Sequence, residues 1–232
     1  MNIIYIASFD IGKKNFAFCI EEIDLNLFSE IKNIPLKNRY NEDGTPTESM
    51  NEILEEVFSN GKIILHKNLD LTKNCDAKVK LDPESFHNMT DVLNEHREYW
   101  DKCSLFVIEE QMSFGKKLNK MALKLAQHCY SYFAFLYGRE KKIIEFPAYN
   151  KTQILGAPKV ESGKTYKNGK KRYKTMAENP RKKWSSQKAI EILTSRGEME
   201  ILEKLSSAKK KDDLADVITQ LQSFKYKTYV DK

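Results

Sequence analysis

Apolar and polar positions along the chain change period several times, and each change marks an element. Residues 1–9 carry Ile3, Ile4, Tyr5, Ile6 and Phe9, a β-favouring run that stops at Asp10-Ile11-Gly12, where glycine permits a tight turn. Residues 15–22 (NFAFCIEE) predict a second strand and, with the first, a hairpin; residues 61–67 (GKIILHK) predict a third. A helix is expected from Asp82-Pro83 to about Lys102, on a loose helical pattern of Phe86, Met89, Val92, Leu93 and Trp100. Residues 104–110 (SLFVIEE) read as a buried strand. A long helix from about Lys116 to Tyr137 follows, with Leu118, Met121, Leu125, Ala126, Cys129 and Phe133 at helical spacing. Residues 142–146 (KIIEF) form a short strand ended by Pro147. Helices resume at Ser185-Ser186, an N-cap candidate, and a last helix covers about 210–223. Residues 24–60 contain the turn signal Asn41-Glu42-Asp43-Gly44 but no clear period. The order of elements predicts a mixed α/β fold in one domain over 1–232.

Composition adds limits rather than identity. At 232 residues, with 41% hydrophobic and 31% charged positions, the chain resembles an ordinary globular protein able to bury a sizeable core. No apolar run approaches the roughly 20 residues that span a bilayer, and the opening run is too short for a signal peptide, so an intracellular protein is expected. Cys19, Cys75, Cys103 and Cys129 and the histidines are scattered, which argues against a structural zinc site and agrees with a reducing compartment.

The net charge of +6 is unevenly spread. Residues 164–183 hold nine basic side chains against one acid, Glu178, so this stretch is +8 and the rest of the chain −2. Ser162-Gly163, Asn168-Gly169 and Asn179-Pro180 punctuate it with turn or breaker signals, and a mobile basic loop near 162–183 is expected. Such a loop suits a phosphate backbone, where each cation releases condensed counterions; Lys170, Lys171, Arg172, Arg181, Lys182 and Lys183 are the candidate contacts. Tyr166, Tyr173 and Trp184 interleave with these cations, as bases for stacking or as hydrophobic anchors.

Three acidic sites each end or follow an apolar element. Asp10 closes the first strand, Glu109 and Glu110 close the 104–110 strand, and Asp212, Asp213 and Asp216 lie on the last helix. Carboxylates gathered from strand ends and a facing helix can hold two Mg²⁺ ions about 4 Å apart, a device for phosphodiester hydrolysis. Alternation puts Glu109 and Glu110 on opposite faces of their strand without saying which one faces Asp10. At about 100° per residue, Asp213 lies roughly 90° from the apolar stripe of Leu214, Val217, Ile218 and Leu221, Asp216 about 150° and Asp212 about 170°. Acids enriched at a helix N-terminus for its dipole are the competing explanation.

The strings SFDIGKKNFAFCI, FVIEEQM and KKKDDLADVITQL, in this order, resemble the three acidic motifs of the RuvC-like Holliday junction resolvases, above all the poxvirus-type enzymes of large DNA viruses and their mitochondrial relatives. The resemblance implies a ribonuclease H-like, RuvC-type mixed sheet flanked by helices. The family's first acid falls on Asp10, its Ile-Glu-x-Gln acid on Glu109 with Gln111 matching the glutamine, and its D-x-x-D pair on Asp213 and Asp216. It implies two Mg²⁺ ions on these acids, with Mn²⁺ able to substitute, and a basic residue near the scissile phosphate, for which Lys151 in PAYNKTQ is the candidate with Lys182 and Lys183 as rivals. It further implies a homodimer that binds a four-way DNA junction and nicks it symmetrically, acting, in a viral setting, where viral DNA replicates in the host cell. Met121, Leu125 and Phe133 of the long helix are the candidate dimer face. Residues 24–100 look long for the family core, as an insertion would.

Other readings share parts of this pattern. A ribonuclease H-like enzyme cutting RNA–DNA hybrids would use the same acids. A sugar-kinase or actin-like ATPase also opens on Asp-x-Gly but needs glycine-rich phosphate loops, and the nine glycines here form no such cluster. An inert junction-binding protein would keep the basic loop without needing the acids.

Overall fold

The computed structural model describes residues 2–111 and 119–231. Residues 112–118, which include Lys116 and Leu118 at the expected start of the long helix, and the terminal residues Met1 and Lys232 lie outside the described residues. Strands β1 (Ile3–Ile11), β2 (Phe16–Asp24), β3 (Lys62–Leu69), β4 (Cys103–Glu110) and β5 (Lys142–Pro147) form a sheet in the order β3-β2-β1-β4-β5. β1 pairs antiparallel with β2, and β2 with β3, whereas β4 runs parallel to β1 and β5 parallel to β4. The β1–β2 turn is as tight as Gly12 suggested: Gly12 N–H donates to the Asn15 carbonyl at 2.9 Å, and a Cβ at Gly12 would lie 3.0 Å from that oxygen.

Each face of the sheet is covered by helices, so the central strands are apolar on both faces. Ala7, Phe9 and Ile11 of β1 and Phe106 and Ile108 of β4 pack with Trp100 and Phe133 beneath helices α3 (Glu84–Glu95), α4 (Arg97–Lys102) and α5 (Lys120–Tyr137). Phe106 stacks on Phe133 with ring centroids 3.9 Å apart. On the other face, Ile6, Leu105 and Val107 pack against Ile192, Val217, Leu221 and Phe224. The helices there are α2 (Glu48–Ser59), α6 (Ala148–Ile154), α7 (Glu178–Arg196), α8 (Met199–Ser207) and α9 (Lys211–Lys225); α1 (Leu25–Glu30) follows β2.

The expected strands all form, and three other readings need correction. The helix expected over 82–102 is two, broken at His96 (φ −102°, ψ 19°). The carbonyls of Val92 and Leu93, which would extend the ladder, are taken by the His96 ring at 2.8 Å and by the Trp100 indole N–H at 2.7 Å. Residues 24–60 hold α2, whose buried Met50, Ile53, Leu54 and Val57 do follow helical spacing behind an N-cap hydroxyl on Thr47. The basic stretch is not a loop throughout: β6 (Val160–Thr165) and β7 (Lys171–Lys174) form a hairpin, and α7 starts at Glu178 rather than Ser185. Pro180 sits in the first turn of that helix, where its missing N–H costs nothing, so a breaker signal in fact marks a helix start.

Candidate active site

β1 and β4 are parallel, so both deliver their carboxyl ends to one edge of the sheet, the usual position of a site in an open α/β sheet. Their ladder stops at the Phe9–Ile108 pair, and Asp10 and Glu109 are the next residues on each strand. Alternation then decides between the two glutamates. Asp10 shares a face with Ile6 and Ser8, and Glu109 with Leu105 and Val107, so both point toward α9. Glu110 is exposed and belongs to the opposite parity.

Helix α9 supplies the facing acids, and α6 places a lysine among them. Lys151 Nζ donates to Asp216 Oδ2 at 2.8 Å and to Glu109 Oε2 at 3.2 Å, although Lys151 itself is only 8% exposed. The other Asp216 oxygen, Oδ1, accepts from the buried Ser185 hydroxyl at 2.7 Å. That serine, read from the sequence as a helix cap, lies inside α7, also within 3.1 Å of the Thr219 hydroxyl. Ser223 Oγ donates to the Lys151 carbonyl at 3.3 Å and ties α6 to α9. Asp213 lies one turn before Asp216, its Oδ2 buried with no hydrogen-bond partner. Asp212 is held outside this group by Lys182, 2.9 Å away.

The electrostatics follow from that packing. Burial pushes the Asp10 carboxyl well above its ordinary pKa, and the neighbouring Glu109 and Asp216 carboxylates add to the rise while Lys151 opposes it. Burial, then Asp212, raises Asp213. For Lys151, burial favours the neutral amine, but Asp216, Glu109 and Asp10 outweigh it and hold the ammonium. Asp212 is itself partly buried, yet the hydrogen bond from Lys182 keeps it below the usual range.

Among the described residues no group of three or more His, Cys, Asp and Glu side chains has its donors converged as around a bound metal. Lys151 instead holds Glu109 and Asp216 together. The donor set nevertheless fits a hard divalent cation: it consists of carboxylate oxygens, and Asp213 Oδ2 is a buried acceptor awaiting a positive partner. A cavity of about 830 Å³ lies elsewhere, along β3 and the α7–α8 turn, and includes none of these acids.

The candidate phosphate contacts divide by their partners. Lys171 pairs with Glu161 at 2.6 Å and Lys170 lies 3.9 Å from Glu42, while Arg172 sits over the Tyr166 ring at 4.7 Å. Lys182 is engaged by Asp212. Arg181 and Lys183 are exposed and make no ion pair among the described residues. Trp184 is packed against the core, an anchor rather than a stacking platform. The expected dimer face is overturned: Leu125 and Phe133 are fully buried in the aromatic core, whereas Phe135 on the same helix is 95% exposed.

No family model matches the chain. It is 39% identical over 230 residues to the uncharacterized protein 170L of Invertebrate iridescent virus 6, an alignment covering 96% of this chain and 89% of that protein. It is 30% identical over 230 residues to the uncharacterized protein 97L of Invertebrate iridescent virus 3, covering 94% and 98%. Among solved structures, its fold is similar to that of the fowlpox virus resolvase in complex with Holliday junction DNA, at a TM-score of 0.51 and 17% identity over 97% of this chain and 98% of that one. Thermus thermophilus RuvC gives a TM-score of 0.50 at 11% identity over 97% and 95% of the two chains, and the yeast mitochondrial resolvase Ydc2 gives 0.50 at 12% over 95% and 77%.

Proposed function

We propose that this chain, which belongs to the same family as proteins 170L and 97L of the invertebrate iridescent viruses and has the RuvC-type fold, is a divalent-metal-dependent endonuclease that resolves four-way DNA junctions. The observation that carries this reading is the meeting of Glu109 and Asp216 on the buried Lys151 at the carboxyl edge of the sheet, with Asp10 beside them and Asp213 one turn before Asp216 on α9. These four acids would hold the divalent cation, Mg²⁺ at two ions per site with Mn²⁺ able to substitute. A cation held there would supply activation of water and stabilisation of the charge that develops on the phosphate. Ser185 fixes the rotamer of Asp216 through its hydroxyl. Lys151 keeps the acids from repelling one another and, beside a phosphate, offsets negative charge.

Substrate preference follows from the surface around the acids. The β6–β7 hairpin with Lys170, Lys171 and Arg172 and the first turns of α7 with Arg181 and Lys183 supply cations for the DNA backbone. A two-fold homodimer matches the approximate two-fold symmetry of a junction and would nick it at two related positions. With Leu125 and Phe133 in the core, the α5 face bearing Phe135 is the one open to a second copy. In the infected cell the protein would act where viral DNA replicates and recombines.

The test is cleavage of a synthetic four-way junction, an RNA–DNA hybrid and a linear duplex, each with Mg²⁺ and with EDTA. Selective, paired nicking of the junction with Mg²⁺ is expected, and preference for the hybrid would replace this reading with a ribonuclease H activity. Asp10→Asn should abolish cutting and leave junction binding intact; a variant that still cuts would remove the metal site from the argument.

A further inference from the structure

Gln220 lies on α9 four residues after Asp216 and seven after Asp213, in the same stripe of the helix. Its side chain is 1% exposed. Its amide nitrogen donates to the Ser8 hydroxyl oxygen at 3.0 Å and the Phe9 carbonyl at 3.2 Å, and lies 3.4 Å from the Val107 carbonyl. Phe9 directly precedes Asp10, and Val107 stands two residues before Glu109. The β1–β4 ladder pairs Ser8 with Val107 and Phe9 with Ile108, and ends there. One amide therefore bridges the last rungs between the two strands that carry acids, and it does so from the helix that carries the other two.

Packing alone does not call for glutamine here. Gln220 Oε1 is buried without a hydrogen-bond partner, and methionine would fill the same space without that unsatisfied acceptor. Nor can the amide be turned end for end, since its oxygen would then face two carbonyl oxygens. The donors are what the position uses.

We propose that Gln220 is a positioning residue: its amide sets the spacing of Asp10 and Glu109 relative to Asp213 and Asp216, and so sets the affinity of the site for a divalent cation. This rests on the reading of those acids as metal ligands. Groups that orient ligands without touching the ion commonly change metal affinity by 10- to 100-fold when removed.

The test is isothermal titration of the full chain with Mn²⁺, alongside thermal unfolding in EDTA and junction binding in EDTA. Gln220→Met keeps the volume and removes the donors. Leu221→Ala opens a cavity in the same helix without removing a donor to the strand ends, and serves as the stability control. Mn²⁺ binding about tenfold weaker in Gln220→Met than in Leu221→Ala at a comparable loss of melting temperature, with junction affinity unchanged, is the expected result. Mn²⁺ affinity no weaker than that of the control would overturn the proposal, whatever happens to stability. Should Gln220→Met not fold, Ser8→Ala, which removes one of the three acceptors, carries the same comparison with a smaller expected shift. Failure of the wild-type chain to bind Mn²⁺ or to cut a junction would be a failure of the functional reading, and is seen before any variant is made.

Discussion

Helix α9 carries a charged cluster at each end, and the two are built on opposite principles. Toward its C-terminal end, fully buried Glu21 accepts from Arg196 at 2.8 Å, from Lys225 at 2.7 Å and from the Gln222 amide at 2.8 Å. Lys225 also donates to the Asn60 carbonyl at 2.7 Å, and Arg196 reaches the Phe58 carbonyl and Glu198. Burial alone would raise Glu21, yet Arg196 and Lys225 hold its carboxyl below the ordinary range. Gly61 passes so close that any Cβ there would collide with the Glu21 carboxylate. Toward the N-terminal end, Glu109, Asp216 and the neighbouring Asp10 share one lysine, and Asp213, one turn away, has an oxygen with no hydrogen-bond partner. The first cluster is balanced and closed, as a buried charge must be for the fold to tolerate it. The second has more carboxylates than cations, the arrangement that the proposed cation site requires.

The largest expected effect is on the closed cluster. Glu21→Ala would leave Arg196 and Lys225 buried without their anion, and should cost about 3–5 kcal/mol in urea unfolding at pH 7. A loss under about 1 kcal/mol would mean that the cluster relaxes toward solvent and that the contrast is overstated. At the open cluster, Lys151→Met should cost about 2 kcal/mol in EDTA, because three carboxylates lose their shared counter-charge. Millimolar Mg²⁺ should restore most of that loss by binding the folded state alone. If Mg²⁺ leaves the melting temperature of this variant unchanged, the acids do not form a cation site.

pH separates the clusters further. Burial, reinforced by the nearby Arg196 charge, brings Lys225 down to about 7 against the attraction of Glu21. Above that pH the folded chain has given up a proton that the unfolded chain keeps up to about 10.5, so the unfolded state binds more protons. Stability from this residue therefore rises with pH, with a slope of up to about 1.4 kcal/mol per unit. Thiols and tyrosines add slopes of their own, so the measurement is the difference between wild type and Lys225→Met in chemical denaturation from pH 7 to 9. A null difference would show that Lys225 stays charged beside Glu21. Asp213 goes the other way: its raised pKa means that ionising it costs the folded state, and the loss of stability comes as pH rises through that pKa. Asp213→Asn should consequently stabilise the metal-free protein by under about 1 kcal/mol while removing Mn²⁺ binding in titration calorimetry.

The two clusters were not equally legible in the sequence. Asp10, Glu109 and the α9 acids stand at the ends of strong apolar patterns, which is where a reader looks for them. Periodicity within a single strand does not choose between Glu109 and Glu110; the Ile-Glu-x-Gln resemblance favours Glu109, and the face of β1 that meets α9 agrees with it. Lys151 was reachable only through the family resemblance. Ser185 reads as a helix cap because Asn179-Pro180 reads as a break, whereas the helix starts seven residues earlier, at Glu178, and carries the hydroxyl inside it. The closed cluster left no trace: Glu21, Arg196 and Lys225 come from three distant elements, and each alone reads as a solvated charge. Local pattern reports which face of an element is buried, whereas pairing between elements is a property of the assembled sheet and helices.

The smallest effect tests the edge of the open cluster, where basic side chains would change from structural partners to the DNA contacts proposed above. Arg181 and Lys183 are exposed and without ion pairs among the described residues, so each should neutralise a phosphate when DNA binds. Replacing either by alanine should reduce the salt slope of junction binding by about 1. Lys182, between them, already neutralises Asp212 at 2.9 Å, beside Asp213. Moving it to a phosphate would uncover a carboxylate next to the acids proposed to bind metal, and the net counterion release would be small. Lys182→Ala should therefore change the salt slope by well under 1, measured by fluorescence anisotropy across a salt series. Equal slopes for all three variants would show that the Asp212 pair opens on binding, and that the boundary between the acid cluster and the DNA surface lies one residue deeper than the unbound structure places it.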